Sequence, residues 1–232
     1  MSGDRAGAPR AHSRAVEDYL KAVFKLQAES AQVSTTALAG ELDRSAASVT
    51  NMVKGLAEQD LLVHEPYRGV RLTAQGESAA LGIIRRHRVI ETYLIERLGY
   101  TWDGVHDEAE RLEHAVSDEL VDRMARALGD PDEDPHGAPI PSSEGVIASR
   151  DLVCLTELPE GVLAVVREVS DEDSERLREL AAAGFLLGTE VEVIRRSPGG
   201  DVVVRVAAEE RPIDAVTAGL IRVERNETNP VG

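Results

Sequence analysis

Cysteine is nearly missing from this chain: its 232 residues include one, Cys154. A single thiol cannot close an internal disulfide, and it excludes the multi-cysteine sites that hold structural zinc or iron–sulfur clusters. Cys154 lies in the apolar run Leu152-Val153-Cys154-Leu155, which predicts a buried structural thiol. Aromatic residues make up 3% of the chain against 42% hydrophobic residues, so its cores must be built from aliphatic side chains. No apolar run approaches the ~20 residues needed to cross a bilayer, and the opening MSGDRAGAPRAHSR lacks the apolar centre of a secretory signal. These absences predict a cytoplasmic protein with no membrane partner. Also missing are an H-E-x-x-H zinc motif, a G-x-S-x-G elbow and a phosphate loop, which leaves a metal-dependent hydrolase with little support and predicts no enzyme and no small-molecule substrate.

Positive charge is scarce as well, with a formal net charge of −16. The deficit is uneven. Residues 1–73 carry nine Lys/Arg and nine Asp/Glu, whereas 74–140 carry seven against fifteen and 141–232 ten against eighteen. A neutral N-terminal third can still bind a polyanion if its cations gather on one surface.

Residues 1–13 are polar and without period, as expected of a disordered tail. Val16, Tyr19, Leu20, Val23, Phe24 and Leu26 recur at helical spacing and predict a first helix that also carries Asp18. Ser34-Thr35-Thr36 offers a cap for a short second helix, and Ser45 caps a third with Val49, Met52, Val53 and Leu56 inward. Leu61 to His64 and Val70 to Thr73, joined by a turn at Pro66-Tyr67-Arg68-Gly69, read as a hairpin. Three helices and a hairpin over residues 14–73 outline a winged helix-turn-helix. Its candidate DNA contacts are Ser45, Ala47, Ser48, Thr50, Asn51 and Lys54 on the third helix and Arg68 and Arg71 on the wing.

A helical module is expected over 74–140, beginning with a long helix from Thr73-Ala74 to Leu98 that Gly99 stops. A second helix is expected from Val105 to about Leu128. On it His106, Glu110, Glu113 and His114 stand at i, i+4, i+7 and i+8, which places two imidazoles and two carboxylates on one stripe. Such a face suits a divalent metal, although a solvated acidic helix with two incidental histidines has the same pattern. His87 and Glu91 form another i, i+4 pair. The Pro/Gly-rich acidic stretch DPDEDPHGAPIPSSEG (130–145) reads as linker and boundary, with 141–150 as the linker proper. Residues 151–226 alternate as strands around a helix from Ser174 to Ala183 and predict a small β domain. The fold class expected is mainly α with a small β domain.

Several stretches together resemble the diphtheria-toxin repressor family of metal-dependent transcription regulators: EDYLKAVFKL, SAASVTNMVKGLAEQDLLVHEPYRGVRLTAQG, RRHRVIE and VHDEAERLEHAVSDE. GFLLGTEVEVI looks like the SH3-like (FeoA-like) barrel of longer members. The resemblance implies a homodimer that binds a double-stranded DNA operator when loaded with Mn(II) or Fe(II) and represses metal-uptake genes. Carried over position by position, it implies a primary site of Asp18, Glu110, Glu113 and His114. The implied ancillary site is His87, Glu91 and His106, with acidic help near Asp173.

Iron sensors of the family place Met at the position of Asp18 and Cys at that of Glu110. Oxygen donors stand at both here, so Mn(II) is expected, with Fe(II) as the alternative. Short manganese sensors place Glu at the position of Lys21. A cationic Lys21 cannot ligate, which predicts separate sites instead of a bridged pair of ions. A winged-helix regulator with a purely structural metal is the remaining alternative. Six apolar residues, Ile90, Leu94, Leu98, Leu112, Val116 and Leu120, are expected to form the dimer face.

Overall fold

The computed structural model describes residues 12–28, 30–65 and 68–226. Almost all of the expected disordered tail, and the Pro66-Tyr67 part of the hairpin turn, lie outside the described residues. The chain forms two compact units, each assembled from separated segments. One comprises 1–87, 112–126 and 141–147; the other comprises 88–111, 127–140 and 148–232. This division cuts through the module expected over 74–140.

In the first unit, α1 (Arg14–Gln27), α2 (Thr35–Glu41) and α3 (Ala46–Glu58) each start at a serine. Ser13, Ser34 and Ser45 accept from the backbone N–H three residues on, satisfying a donor that the first turn leaves free. The inward stripe of α1, Tyr19, Leu20 and Val23, shares one core with Leu38 of α2 and Val49, Val53 and Leu56 of α3. Strands β1 (Leu62–Glu65) and β2 (Gly69–Leu72) pair antiparallel, with His64 opposite Val70. Val33 and Val70 exchange both backbone hydrogen bonds, at 2.9 and 2.8 Å, which anchors the hairpin to the chain before α2. Gly69 is required there: its φ is +120°, and a Cβ would run into the Val33 carbonyl.

Helix α4 (Ala74–Leu98) begins after Thr73, whose hydroxyl accepts from Gly76 N, and ends at Gly99 with φ +73°. The helix expected from Val105 to Leu128 is two: α5 (His106–Glu113) and α6 (Asp118–Leu128). The break has a local cause. Ser117 accepts from Leu120 N through its hydroxyl and from Val121 N through its carbonyl, and so starts a new helix. The dimer face expected from the sequence also changes, because Ile90 and Leu94 are buried within the chain itself while Leu98 and Leu120 are exposed.

The second unit contains the β domain, a six-stranded antiparallel sheet in the order β3-β8-β4-β5-β6-β7. Its strands are β3 (Val153–Cys154), β4 (Leu163–Val169), β5 (Glu190–Arg196), β6 (Val202–Val206), β7 (Glu209–Ile213) and β8 (Ile221–Arg225). Helices α7 (Ser174–Ala182) and α8 (Ala215–Gly219) complete it, and Phe185, Leu155, Leu177, Leu180 and Ile221 fill its interior. The stretch expected to be a linker is packed over residues 133–140. His136 and Asp134 are buried, Trp102 Nε1 donates to Pro135 O at 2.9 Å, and Val169 N donates to His136 O at 3.0 Å. Gly137 permits this approach, since its φ is +88° and a side chain would meet the Arg167 carbonyl. No described helix is long and apolar enough to cross a membrane.

Candidate metal centre and nucleic-acid interface

In the first unit, α1 and the α5–α6 junction bring Asp18, Glu113 and His114 together, their ligand atoms all within 4.8 Å of one another. His114 sits in the turn after α5, and its Nε2 lies 3.0 Å from Asp18 Oδ1 and 3.3 Å from Glu113 Oε1. Its other nitrogen, Nδ1, is 2.6 Å from Glu17 Oε2. Glu17 is buried and accepts from Arg86 Nη2 at 2.8 Å, while Arg86 Nη1 donates to Asp118 at 3.0 Å.

Glu113 is 1% exposed, and both of its oxygens are engaged. Oε2 lies 2.5 Å from His87 Nδ1, and Lys21 Nζ donates to Oε2 at 3.1 Å and to Oε1 at 3.2 Å. Burial pushes the Glu113 pKa up, but the His87 hydrogen bond and the Lys21 charge outweigh it and hold the carboxyl below its usual range. A buried, ionised carboxylate beside an imidazole and a second carboxylate is a hard donor set suited to a divalent ion.

The second unit gathers Glu91, His106 and Asp171 within the same 4.8 Å span. His106 Nδ1 is 3.0 Å from Asp171 Oδ2 and 3.3 Å from Glu91 Oε1. His136 completes the group. Its Nε2 is 2.8 Å from Trp102 O, which can only accept, so Nε2 carries the proton. The Nδ1 lone pair is then buried without a hydrogen-bond partner, 3.8 Å from Asp171 Oδ2 and 4.0 Å from Glu91 Oε2. A lone pair facing carboxylates is repelled unless a proton or a cation lies between, so these residues fit a metal ion as well. Burial, aided by Glu91 and Asp171 and opposed by Arg88, pushes Asp134 up to about 6.

The helix expected to carry all four residues ends at Glu113, so His106, Glu110 and Glu113 stand on α5 and His114 in the turn that follows. His114 joins Asp18 and Glu113, and Glu110 has an oxygen 3.8 Å from His106 Nε2. His87 precedes Glu91 by one turn of α4 and directs Nδ1 to Glu113. The acidic residue at His106 is Asp171 rather than Asp173. Asp173 caps α7 by accepting from Glu175 N and Arg176 N, both at 3.1 Å. Glu17, Asp171 and His136 escaped the sequence reading. Glu17 was hidden beside Asp18, and His136 lay in a Pro/Gly-rich stretch that reads as linker.

On the candidate DNA face, Ser45, Ala47, Ser48, Asn51 and Lys54 of α3 are exposed, as are Arg68 and Arg71 of the wing. Two hydroxyls are already engaged: Ser45 Oγ caps α3, and Thr50 Oγ1 donates to Ala46 O at 2.8 Å. Arg68 pairs with Glu65 at 3.4 Å, an exposed pair of small energetic weight.

Comparison with known proteins places these features in a family. The N-terminal DNA-binding domain of iron-dependent repressors matches residues 12–70, and their metal-binding and dimerisation domain matches 73–142. A FeoA domain matches 153–225. The iron-dependent repressor IdeR of Mycobacterium leprae is 31% identical over 222 residues, covering 90% of this chain and 96% of its own. Among solved structures, a manganese-dependent transcriptional repressor in complex with manganese is similar at a TM-score of 0.85. It is 37% identical, and the match covers 91% of this chain and 100% of that one. The manganese regulator SloR is similar at a TM-score of 0.79 and 30% identity, covering 91% and 98%.

Proposed function

Because this chain belongs to the iron-dependent and diphtheria-toxin repressor family of metal-dependent transcriptional repressors, which bind DNA and are not enzymes, we propose that it is activated by Mn(II). The observation that carries this reading is the donor set around His114, carboxylate and imidazole with no sulfur among the described residues. Cys154 belongs to the β domain, its Sγ directed at the carbonyls of Ala218 and Gly219. Hard oxygen donors suit Mn(II), whereas a Met or Cys ligand favours softer ions. The likeness to manganese-dependent repressors supports the same choice. Fe(II) is the competing reading, supported by the likeness to IdeR.

Asp18, Glu113 and His114 form the proposed primary site, and Glu91, His106, His136 and Asp171 the proposed second site. A divalent ion would supply the charge that joins Asp18 on α1 to the α5–α6 junction. The remaining steps belong to the chain. Glu17 fixes the ring of His114, and Arg86 neutralises Glu17. Because α1 and α3 share one core, holding α1 also holds α3, so metal binding shifts the population towards one setting of the recognition helix. In that setting Ser48, Asn51 and Lys54 read the groove while Arg68 and Arg71 meet phosphates.

We retain residues 14–73, 74–140 and 151–226 as the DNA-binding, metal-binding and dimerisation, and FeoA-like modules of a homodimer on double-stranded operator DNA. Asp18→Ala and His114→Ala tested for Mn(II)-stimulated DNA binding check the site. Both should stay folded and lose the stimulation. A fully responsive His114→Ala protein would rule the site out.

A further inference from the structure

We propose that Gln27 is a positioning residue of the wing: it ties β2 to α1, so that fixing α1 also fixes Arg71 where it meets phosphate. The proposal rests on the reading of Asp18, Glu113 and His114 as metal ligands and of Arg71 as a DNA contact.

The backbone hydrogen bonds of β2 carry it. In an antiparallel pair, alternate residues turn their N–H and C=O groups towards the partner strand and away from it. Thr73 N donates to Leu61 O at 3.1 Å on the β1 side, whereas Val70 exchanges both of its bonds with Val33 on the outer side. Leu72 stands two residues beyond Val70, so its N–H also points outwards. The acceptor there is a side chain: Leu72 N donates to Gln27 Oε1 at 2.8 Å. Gln27 is the last residue of α1, and its amide stands where the next rung of a third strand would be. Arg71, exposed on the wing, is thereby held between two anchored residues, Val70 on the chain before α2 and Leu72 on α1.

Asp18 and Gln27 lie on the same helix, roughly 13 Å apart along its axis. Fixing Asp18 against Glu113 and His114 therefore sets α1, and Gln27 passes that setting to β2. Tyr19, Leu20 and Val23 also share a core with Val70 and Leu72, but apolar packing is non-directional. A hydrogen bond is lost when its length or angle is wrong, so it fixes register as well as proximity. A second tie in the last turn of α1, Lys25 to Glu41 of α2 at 2.7 Å, is exposed and of small weight. Leu72 is buried, so its N–H needs an acceptor within the chain. An ordinary edge cap would satisfy the same donor, but its loss would leave the phosphate contact of Arg71 unchanged.

The test compares the full-length wild type with Q27L, Q27E, R71A and the Q27L/R71A double variant. Operator binding with Mn(II) is measured over a series of salt concentrations, Mn(II) uptake by equilibrium dialysis, and hydrogen exchange of β2 by mass spectrometry without DNA. The proposal expects Mn(II) to slow exchange in β2 of the wild type and of Q27E, and not of Q27L. Q27L should take up Mn(II) as the wild type does. Its operator affinity should fall several-fold and its salt slope by about 1, as in R71A, and Q27L should add nothing in the R71A background. Q27E, which keeps an acceptor for Leu72 N, should keep the wild-type slope. An unchanged slope in Q27L, a full further loss in the double variant, or a Q27E slope like that of Q27L would overturn the proposal. So would loss of Mn(II) uptake in Q27L, or exchange in wild-type β2 that does not respond to Mn(II). If Asp18→Ala keeps Mn(II)-stimulated operator binding, the site reading fails, and the comparison of Q27L with R71A alone still decides whether Gln27 places Arg71.

Discussion

His114 Nδ1 lies 2.6 Å from Glu17 Oε2, which leaves the opposite ring nitrogen, Nε2, facing Asp18 and Glu113. A carboxylate that accepts the Nδ1–H hydrogen bond fixes the tautomer and makes Nε2 a better ligand. Glu17 is itself held by Arg86, so the orientation of His114 depends on a residue of α4 as well.

Glu17→Gln should therefore weaken Mn(II) affinity by ~10–100-fold, the usual effect of losing a partner behind a ligating histidine. Isothermal titration measures this directly. Glu17→Ala should in addition lower the metal-free melting temperature, because it leaves the guanidinium of Arg86 without its buried partner. Unchanged affinity in Glu17→Gln would show that the short contact does not orient the ring.

Gly69→Ala should destabilise the wing. The substitution puts a Cβ against the Val33 carbonyl at a φ of +120° and strains the two bonds between Val33 and Val70. A loss of about 2–4 kcal/mol is expected from left-handed strain and two weakened hydrogen bonds. Urea unfolding checks the value, and a loss below about 0.5 kcal/mol would mean that the hairpin is not anchored through this contact.

Arg71 and Asn51 should differ in kind. Removing Arg71 should weaken binding to all DNA sequences and reduce the salt slope by about 1, as expected for one phosphate contact. Asn51→Ala should change sequence preference, since an amide on the exposed face of α3 can pair with a base edge. Titrations on several DNA sequences at a series of salt concentrations separate the two. A uniform loss from Asn51→Ala with an unchanged slope from Arg71→Ala would overturn both assignments.

The elements that the sequence reveals are those with local signals. The stripe of Tyr19, Leu20 and Val23, the serine caps and the hairpin all follow from spacing and residue type, and the long α4 ends at the glycine expected to stop it. Asp18, Glu113 and His114 were legible as ligand types, and the structure brings them together. What escaped depended on distant packing. Ser117 breaks the helix within a pattern that otherwise reads as continuous. Asp171 and Asp173 are two residues apart in an acidic run, and only the start of α7 decides which one is spent as a cap. His136 is buried by contacts with Trp102 and Val169, which lie 34 and 33 residues away in a sequence that reads locally as linker.

Operator binding by metal-free protein, titrated with free Mn(II) and with free Fe(II) under anaerobic conditions, tests the central claim most directly. The wild type should show no specific binding without metal and should respond at lower concentrations of Mn(II) than of Fe(II). Asp18→Met should narrow or reverse that ranking, because a thioether replaces a hard oxygen donor. Specific binding by the metal-free protein, or activation by Fe(II) at lower concentrations than Mn(II) in the wild type, would contradict the account.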